Sequence, residues 1–270
     1  MPGPTFANPP AMERVLSVQF RELPAFELQH YGMWYEQIKN RYPLTTRQPR
    51  LPRIIEQFPY KPVPQRFQFG VETAPELPHC VFAAEGQTRL LQLQPDRFAM
   101  NWRRKPGDEY RRFNDTKADF FGLLEEFRRF CLGTGLGEVS TDMFEVTDVN
   151  QIDCPPGRGT AEFVADVFEG IDLQPPEDAA SWLPYPFGTT FNRLYDFGDL
   201  LGRLYAEISV VADSDHEYIL YKLTARARIE PSTCEQDLEA RLQLAHDWVV
   251  KGFVATTRKP IRNSEWRQVE

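Results

Sequence analysis

The residue types best suited to chemistry are concentrated in one short run, RLLQLQPDRFAMNWRR, which extends from Arg89 to Arg104. Guanidinium groups and an indole ring are common anchors of binding interfaces, and a side-chain amide adds directional hydrogen bonds. The candidate binding residues are therefore Arg97, Asn101, Trp102, Arg103 and Arg104. In the alternative interpretation, Trp102 packs under a helix while the arginines are solvated or pair with acids such as Asp108 and Glu109.

Catalytic chemistry is marked less clearly. His246 shares an apolar helix face with Leu242, and a core histidine bonded to the sheet is favoured over a general base because no serine or cysteine nucleophile is marked beside it. Asp142 with Glu145, or Glu162 with Asp166, could form a carboxylate pair of the kind that metal-dependent nucleases and glycosidases use, but acids at this density are typical of solvent-exposed faces. We predict no catalytic residues, no metal site and no cofactor.

Composition indicates an ordinary globular protein. The 270 residues, of which 41% are hydrophobic, can build a substantial core. No apolar run approaches the roughly 20 residues that cross a bilayer, and the first residues lack the apolar stretch of a signal peptide, so a cytoplasmic location without membrane association is predicted. The four cysteines form no CxxC pair, which argues against zinc and disulfides and favours buried free thiols.

The net charge of −8 conceals a difference between the two halves of the chain. Residues 1–138 carry 19 basic and 16 acidic groups, a balance of +3, whereas residues 139–270 carry 12 and 23, a balance of −11. A non-specific nucleic-acid binder needs a strong basic excess on some surface, and only the first half offers candidates for one.

Hydrophobic periodicity predicts a similar order of elements in both halves. Alternating residues predict strands at 15–20, 66–73, 79–84, 89–94, 97–103, 143–152, 189–195, 203–212 and 217–229. Helical spacing predicts helices at 25–42, at 108–132, at 160–168 and from a capping box at 232–235 to about 256. The Pro-rich stretch 44–64 is predicted to cross the surface as a solvated, extended loop, with a partner contact as the alternative.

This order predicts an α+β protein made of two similar lobes, residues 1–138 and 139–270. Each lobe follows a plan of strand, helix, antiparallel meander and long helix, as in TATA-binding-protein-like and helix-grip folds. Joining the two sheets edge to edge would cover exposed strand edges and place the long helices on one side. A single helix-grip domain with an internal cavity is the competing interpretation.

Four stretches also carry a resemblance to a known family. VLSVQF, WYEQIKNRYP, LLQLQPDRFAMNWRR and LAHDWVVKGFVATT are similar to bacterial proteins described only as a sporadically distributed family of unknown function, about 250 residues long. The resemblance covers most of the chain and is most specific around Gln94, Arg97, Phe98, Asn101 and Trp102. It implies no activity and no catalytic residues. The patchy distribution of the family suggests an accessory role or a role in bacterial defence.

Three functional hypotheses follow. The favoured one is a non-enzymatic binding protein whose open sheet face or loops engage a protein partner or a second copy of itself, because the scaffold is well specified and no reaction-specific constellation is present. The first alternative is a small-ligand-binding or catalytic helix-grip protein, with a cavity between sheet and long helix lined by Trp34, Phe98, Trp102 and Phe127. The second alternative is nucleic-acid binding through the basic first half.

Overall fold

A computed structural model describes residues 4–58, 76–171, 173, 182, 189–197, 202–212, 217–229 and 235–269, and its central feature is an antiparallel sheet of nine strands. The strands in chain order are β1 (Thr5–Phe6), β2 (Ala11–Phe20), β3 (Leu44–Gln48), β4 (His79–Ala83), β5 (Arg89–Gln94), β6 (Arg97–Arg103), β7 (Thr141–Asp153), β8 (Thr190–Phe197), β9 (Gly202–Ala212), β10 (Glu217–Arg228) and β11 (Gln268–Val269). The helices are α1 (Leu28–Ile38), α2 (Phe113–Gly133), α3 (Thr160–Val167), α4 (Glu235–Thr256) and α5 (Lys259–Ser264). The predicted α+β class is confirmed.

The sheet has the strand order β3-β4-β5-β6-β2-β7-β10-β9-β8, and each neighbouring pair is antiparallel. Strands β2 and β7 meet near the middle, where Leu16 pairs with Val146. The strands on one side of this junction come from the first half of the chain, and those on the other side come from the second half. Strands β1 and β11 form a separate two-stranded ribbon.

The hairpin of β5 and β6 forms as the sequence predicts. Both strands have the predicted bounds, and a two-residue turn joins them. The register places Leu91 opposite Met100 and Leu93 opposite Phe98 on one face of the sheet. All four side chains are buried, so this face of the hairpin forms part of the hydrophobic core.

Helices α1, α2 and α4 cover one face of the sheet because each presents an apolar stripe to it. Trp34 of α1 and Phe127 of α2 meet with ring centroids 5.4 Å apart, and Phe127 stacks on Phe98 of β6 at 5.2 Å. These three rings are fully buried. The cavity predicted among Trp34, Phe98, Trp102 and Phe127 is therefore replaced by direct ring packing at three of its four residues.

Close packing of α4 on the second-half strands requires glycine at position 202 in β9. A Cβ atom on Gly202 would lie 2.3 Å from ring atoms of Trp248 in α4. Trp248 also stacks on Phe197 of β8, with ring centroids 4.4 Å apart. The absence of a side chain at Gly202 thus lets the helix lie directly against this part of the sheet.

Several sequence predictions need correction or cannot be followed. The stretch 44–64 is not one solvated loop, because Leu44–Gln48 forms the edge strand β3 and residues 49–58 dock on the sheet through polar contacts. Helix α2 begins at Phe113 rather than at 108, since the Asp108 carboxylate accepts the Lys105 N–H and closes a turn there. The ribbon of β1 and β11 and the short helix α5 were not predicted. The predicted strand at 66–73 and most of the capping box at 232–235 lie outside the described residues.

No helix within the described ranges is both long enough and apolar enough to span a bilayer.

Candidate functional site

A buried ion pair between β2 and β7 stands out on the helix-covered face of the sheet. Arg14 is 1% exposed and lies on the same face of β2 as Leu16 and Val18. Its Nε donates to Oδ1 of Asp148 at 2.7 Å and its Nη2 donates to Oδ2 at 2.8 Å, which is the bidentate geometry that these groups favour. Nη2 also donates to the hydroxyl of Tyr110 at 2.7 Å. The β2–β7 register creates the pair, because it sets the two residues opposite each other.

Both members of this pair are ionised at neutral pH. Burial by itself lowers the pKa of Arg14, but the charge and hydrogen bonds of Asp148 outweigh burial and raise that pKa. Burial likewise raises the pKa of Asp148, but the Arg14 charge outweighs it and holds that pKa below its usual value. Burial raises the pKa of Tyr110, so its phenol stays protonated. The cluster therefore carries no net charge at neutral pH.

His246 of α4 lies beside this pair as a neutral imidazole. Its ring stacks on that of Phe113 at the start of α2, with centroids 3.8 Å apart and planes 3° apart. Burial, reinforced by the Arg14 charge, lowers the pKa of His246 to about 4. His246 is only partly buried, and its Nδ1 makes neither the predicted hydrogen bond to the sheet nor one to any other described residue.

The ion pair and His246 line a cleft of about 330 Å³. The segment that precedes β2, the start of α2 and helix α4 form its sides. The apolar lining residues are Pro4, Phe6, Pro9, Pro10, Ala11, Phe113, Leu223, Val249, Val250 and Phe253. The charged lining residues are Arg14, Arg112, Asp148 and Asp247, two positive and two negative. The volume is at the lower end of the range found for small-molecule sites.

Two polar atoms in the wall of this cleft lack a partner. Nη1 of Arg14 and Nδ1 of His246 are buried and bond to no atom of the described residues. An unpaired buried donor or acceptor costs about 1–3 kcal/mol. A molecule in the cleft is placed to supply the missing partners: an acceptor for Arg14 and, according to the imidazole tautomer, a donor or an acceptor for His246.

The sequence predictions missed Arg14 and Asp148, although the sequence contains a signal for the first of them. Arg14 has the same parity on β2 as Leu16, Val18 and Phe20, whose alternation predicts a buried face. A charged residue in that register indicates a buried charge that needs a partner. The partner itself depends on the pairing of β2 with β7, which no local pattern specifies.

The five predicted binding residues do not form one surface. Arg97 and Asn101 lie on the opposite face of the sheet, where Asn101 donates to the Glu13 carboxylate at 2.5 Å. Trp102 lies on the helix-covered face, and its ring meets that of Tyr110 edge-on with centroids 5.5 Å apart. Alternation along β6 separates these side chains, because successive residues of a strand point to opposite faces.

The other two predicted residues bond locally. Arg103 pairs with Glu13 at 3.0 Å, and Arg104 donates to the carbonyl oxygens of Pro9 and Asp108. The alternative interpretation predicted acidic partners such as Asp108 and Glu109. Arg103 does pair with an acid, but that acid is Glu13. Further first-half arginines in ion pairs are Arg41, Arg50, Arg53, Arg111, Arg128 and Arg129. These pairs reduce the positive charge that the first half can offer to a nucleic acid.

The cysteines give no sign of metal or redox chemistry in the described part of the chain. Cys80 and Cys131 are buried free thiols as predicted, and burial raises the pKa of Cys131 to about 12. Cys154 is free and half-buried, whereas Cys234 lies outside the described residues. No group of three or more potential metal ligands occurs among the residues that the structure describes.

A second set of buried charges lies on the other face of the sheet, named here the open face. Residues 49–58, named the strap, cross this face close to the ends of β2 and β10. Glu56 of the strap is 4% exposed. Its carboxylate accepts hydrogen bonds from Arg203, Arg226 and Tyr205. The strap therefore packs on the open face through polar contacts, whereas the helices pack on the opposite face through apolar contacts.

Comparison with known proteins found no match to this chain. No model of a protein family, no curated protein and no solved structure matches the chain. The resemblance to the sporadically distributed family stays a prediction, and function has to be inferred from the residues themselves.

Proposed function

We propose that this protein is a non-enzymatic binding protein whose cleft beside Arg14 takes a small molecule. The observation that carries the proposal is the pair of unpartnered atoms, Nη1 of Arg14 and Nδ1 of His246, in the wall of one cleft. Native proteins pair nearly all of their buried polar groups. Among the unpartnered buried atoms of the described residues, these two lie at the same cleft, which favours an occupant that bonds to both.

The lining of the cleft favours an uncharged and largely apolar ligand. Its formal charges cancel, and the Arg14 guanidinium is already neutralised by Asp148. The aromatic rings of Phe113 and Phe253 and the side chains on the α4 wall provide apolar contact area. A planar amide or a phenol combines such an apolar body with the acceptor that Arg14 lacks.

The same groups argue against catalysis. Arg14 is permanently charged, Tyr110 stays protonated, and His246 with a pKa of about 4 is a weak base at neutral pH. The described residues that line the cleft include neither a serine nor a cysteine. These features support binding without chemical turnover.

A screen of small uncharged amides and phenols by ligand-observed NMR, with the matching carboxylates as a counter-set, tests this proposal. We expect members of the uncharged set to bind and to raise the melting temperature. Val250→Trp fills the cleft without touching the ion pair and should weaken binding at least tenfold. Leu244→Trp on the exposed side of the same helix is the matched control and should leave binding unchanged. Absence of binders, or binders that ignore Val250→Trp, would contradict the proposal.

We extend the proposal to the origin of the scaffold, as a duplication of one strand-helix-meander-helix lobe of the TATA-binding-protein-like or helix-grip type, with residues 1–138 and 139–270 as the copies. It is supported by the strand order, in which β2 and β7 are central neighbours, β6 flanks β2 and β10 flanks β7. The long helices α2 and α4 follow β6 and β10 in the chain. The Arg14 cleft lies where the two copies meet, with β2 and α2 from one and β7 and α4 from the other.

A further inference from the structure

The open face of the sheet lies opposite the Arg14 cleft and is crossed by the strap. We propose that the open face is a recognition track for an extended segment of a partner protein, and that the strap occupies this track within its own chain. The partner segment carries two basic residues and one acidic residue at intervals of three, as Arg50, Arg53 and Glu56 do in the strap.

Part of the docking is made to the main chain of the strap. The side chain of Gln94 binds Leu51 twice: Oε1 accepts the Leu51 N–H at 2.8 Å, and Nε2 donates to the Leu51 carbonyl at 3.1 Å. The Ile54 N–H donates to Oε1 of Gln19 at 3.0 Å. Contacts of this kind recognise an extended backbone with little regard to its side chains. They are therefore available to any segment of the same conformation.

The predicted binding residue Arg97 belongs to this track. Its Nη2 donates to the Pro52 carbonyl at 3.1 Å and to Oε1 of Gln19 at 3.2 Å. Arg97 thus binds both the Pro52 carbonyl of the strap and the Gln19 side chain, which in turn accepts the Ile54 N–H. Of the five residues singled out from the sequence, it is a direct contact to the docked segment.

The basic side chains of the strap face acids of the sheet and its loops. Arg50 pairs with Glu22 at 2.9 Å and with Asp96 at 3.1 Å. Arg53 pairs with Asp142 and donates to a main-chain carbonyl at the end of β2. The track therefore presents negative charge at two successive positions, and a basic side chain is selected at each of them.

The acidic side chain of the strap is bound most tightly. The Glu56 carboxylate accepts from the Tyr205 hydroxyl at 2.6 Å, from Nη1 of Arg226 at 2.9 Å and from Arg203. The side chains of Glu56 and Arg203 are 4% and 2% exposed. Three donors from two neighbouring strands converge on one carboxylate, and this arrangement selects an acidic residue.

The spacing of these three side chains defines the conformation that the track accepts. Arg50, Arg53 and Glu56 recur every third residue, which is one turn of a polyproline II helix, and Pro49 and Pro52 favour that conformation. Residues 51–57 form neither helix nor strand. A preformed extended segment loses little entropy on docking, as in other modes of polyproline recognition.

Docking of the strap depends on polar contacts, so the strap is exchangeable. Its apolar residues face outward: Ile55 is 71% exposed and Leu51 is 36% exposed. The ion pairs of Arg50 and Arg53 lie near the surface and exchange for water at small net cost, whereas release of the buried Glu56 carboxylate is the most costly step. A cleft of about 520 Å³ beside residues 53–58 leaves room for side chains larger than those of the strap.

A labelled peptide with the strap sequence PRLPRIIEQF tests the proposal by fluorescence anisotropy. We expect the full-length Glu56→Gln protein to bind this peptide at least tenfold more tightly than the wild type, because the intact strap competes at a high effective concentration. The same peptide carrying Glu56→Gln should bind at least tenfold more weakly to that protein. Peptides that keep only the pattern Arg-x-x-Arg-x-x-Glu should retain binding, whereas reversal of the charges should abolish it.

A second variant guards against a folding defect. Leu51→Pro removes a strap N–H that bonds to Gln94 and leaves the charged cluster intact. It should also bind the peptide more tightly than the wild type. If both variants are folded by circular dichroism and bind the peptide no better than the wild type, the proposal is overturned. Because Val250→Trp fills only the Arg14 cleft, it should leave peptide binding unchanged, which separates this test from that of the small-molecule site.

Discussion

The two faces of the central sheet bury charge in different ways. On the helix-covered face, Arg14 and Asp148 form one closed pair among aromatic and aliphatic side chains. On the open face, the single carboxylate of Glu56 is shared by Arg203 and Arg226. Those two arginines also reach acids on β8 and β7. The first arrangement is an isolated pair, and the second is a network.

This difference has an energetic consequence. A pair enclosed by helices has no replacement partner, so removal of one member leaves a buried charge without compensation. In the network, Arg203 also pairs with Asp196 and Arg226 also pairs with Glu145, so loss of Glu56 leaves neither arginine without an acidic partner. We therefore expect substitutions of the enclosed pair to destabilise the whole fold, and substitutions of the network to release mainly the strap.

The largest effect is expected for Arg14→Met, because it leaves the buried Asp148 carboxylate without its partner. The free energy of unfolding should fall by about 3–5 kcal/mol, measured by urea denaturation. The double variant Arg14→Met with Asp148→Leu should recover most of this loss, since neither charge remains. If the double variant loses the sum of the two single effects, the pair is not the isolated unit that the comparison requires.

The next effect concerns pH and His246. The folded pKa of about 4 lies below the usual 6.5, so between these values the unfolded chain binds a proton that the folded chain does not. Stability should therefore fall as pH decreases from 6.5 to 4, by up to about 3 kcal/mol from this group. The charged groups that act on the ring are Arg14, Asp148, Lys117 and Asp247. In urea denaturation, the free energy of unfolding should differ less between pH 7 and pH 5 for His246→Gln than for the wild type. An equal difference would contradict the lowered pKa of His246 in the folded protein.

A smaller change in global stability is expected for Glu56→Gln. Arg203 keeps Asp196 and Arg226 keeps Glu145, so the loss should be about 1–3 kcal/mol. The main response should be local, as faster hydrogen exchange of strap amides with little change in the helices. Hydrogen exchange measured by mass spectrometry checks this, and loss of protection throughout the chain would remove the distinction between the two faces.

The smallest effect is expected at the rim of the open face. The Arg103 side chain is 44% exposed and pairs with Glu13. Exposed pairs contribute about 0.2–1 kcal/mol, so Arg103→Ala should change the free energy of unfolding by less than about 1 kcal/mol. This change should be still smaller in high salt, because salt screens the ion pair. A larger loss would mean that this rim of the open face is as enclosed as the Arg14 pair.

Much of the fold could be predicted because its signals are local. The β5–β6 hairpin has the predicted bounds, since Pro95 and Asp96 mark a turn between alternating residues. Residues 49–58 were predicted less well, because docking on the open face depends on Gln19 and Gln94 from distant strands. The predicted binding cluster was divided by strand alternation once the face of each residue was fixed.

The sequence by itself determined the class of elements, their order and the apolar faces, because periodicity and turn residues act over a few neighbours. Tertiary structure alone decided which charges meet: Arg14 pairs with Asp148, 134 residues further along the chain, and Glu56 pairs with Arg226, 170 residues further along. Both pairs depend on how the strands from the two halves lie side by side and on what covers each face. That is a property of the assembled sheet, and no local pattern in the chain records it.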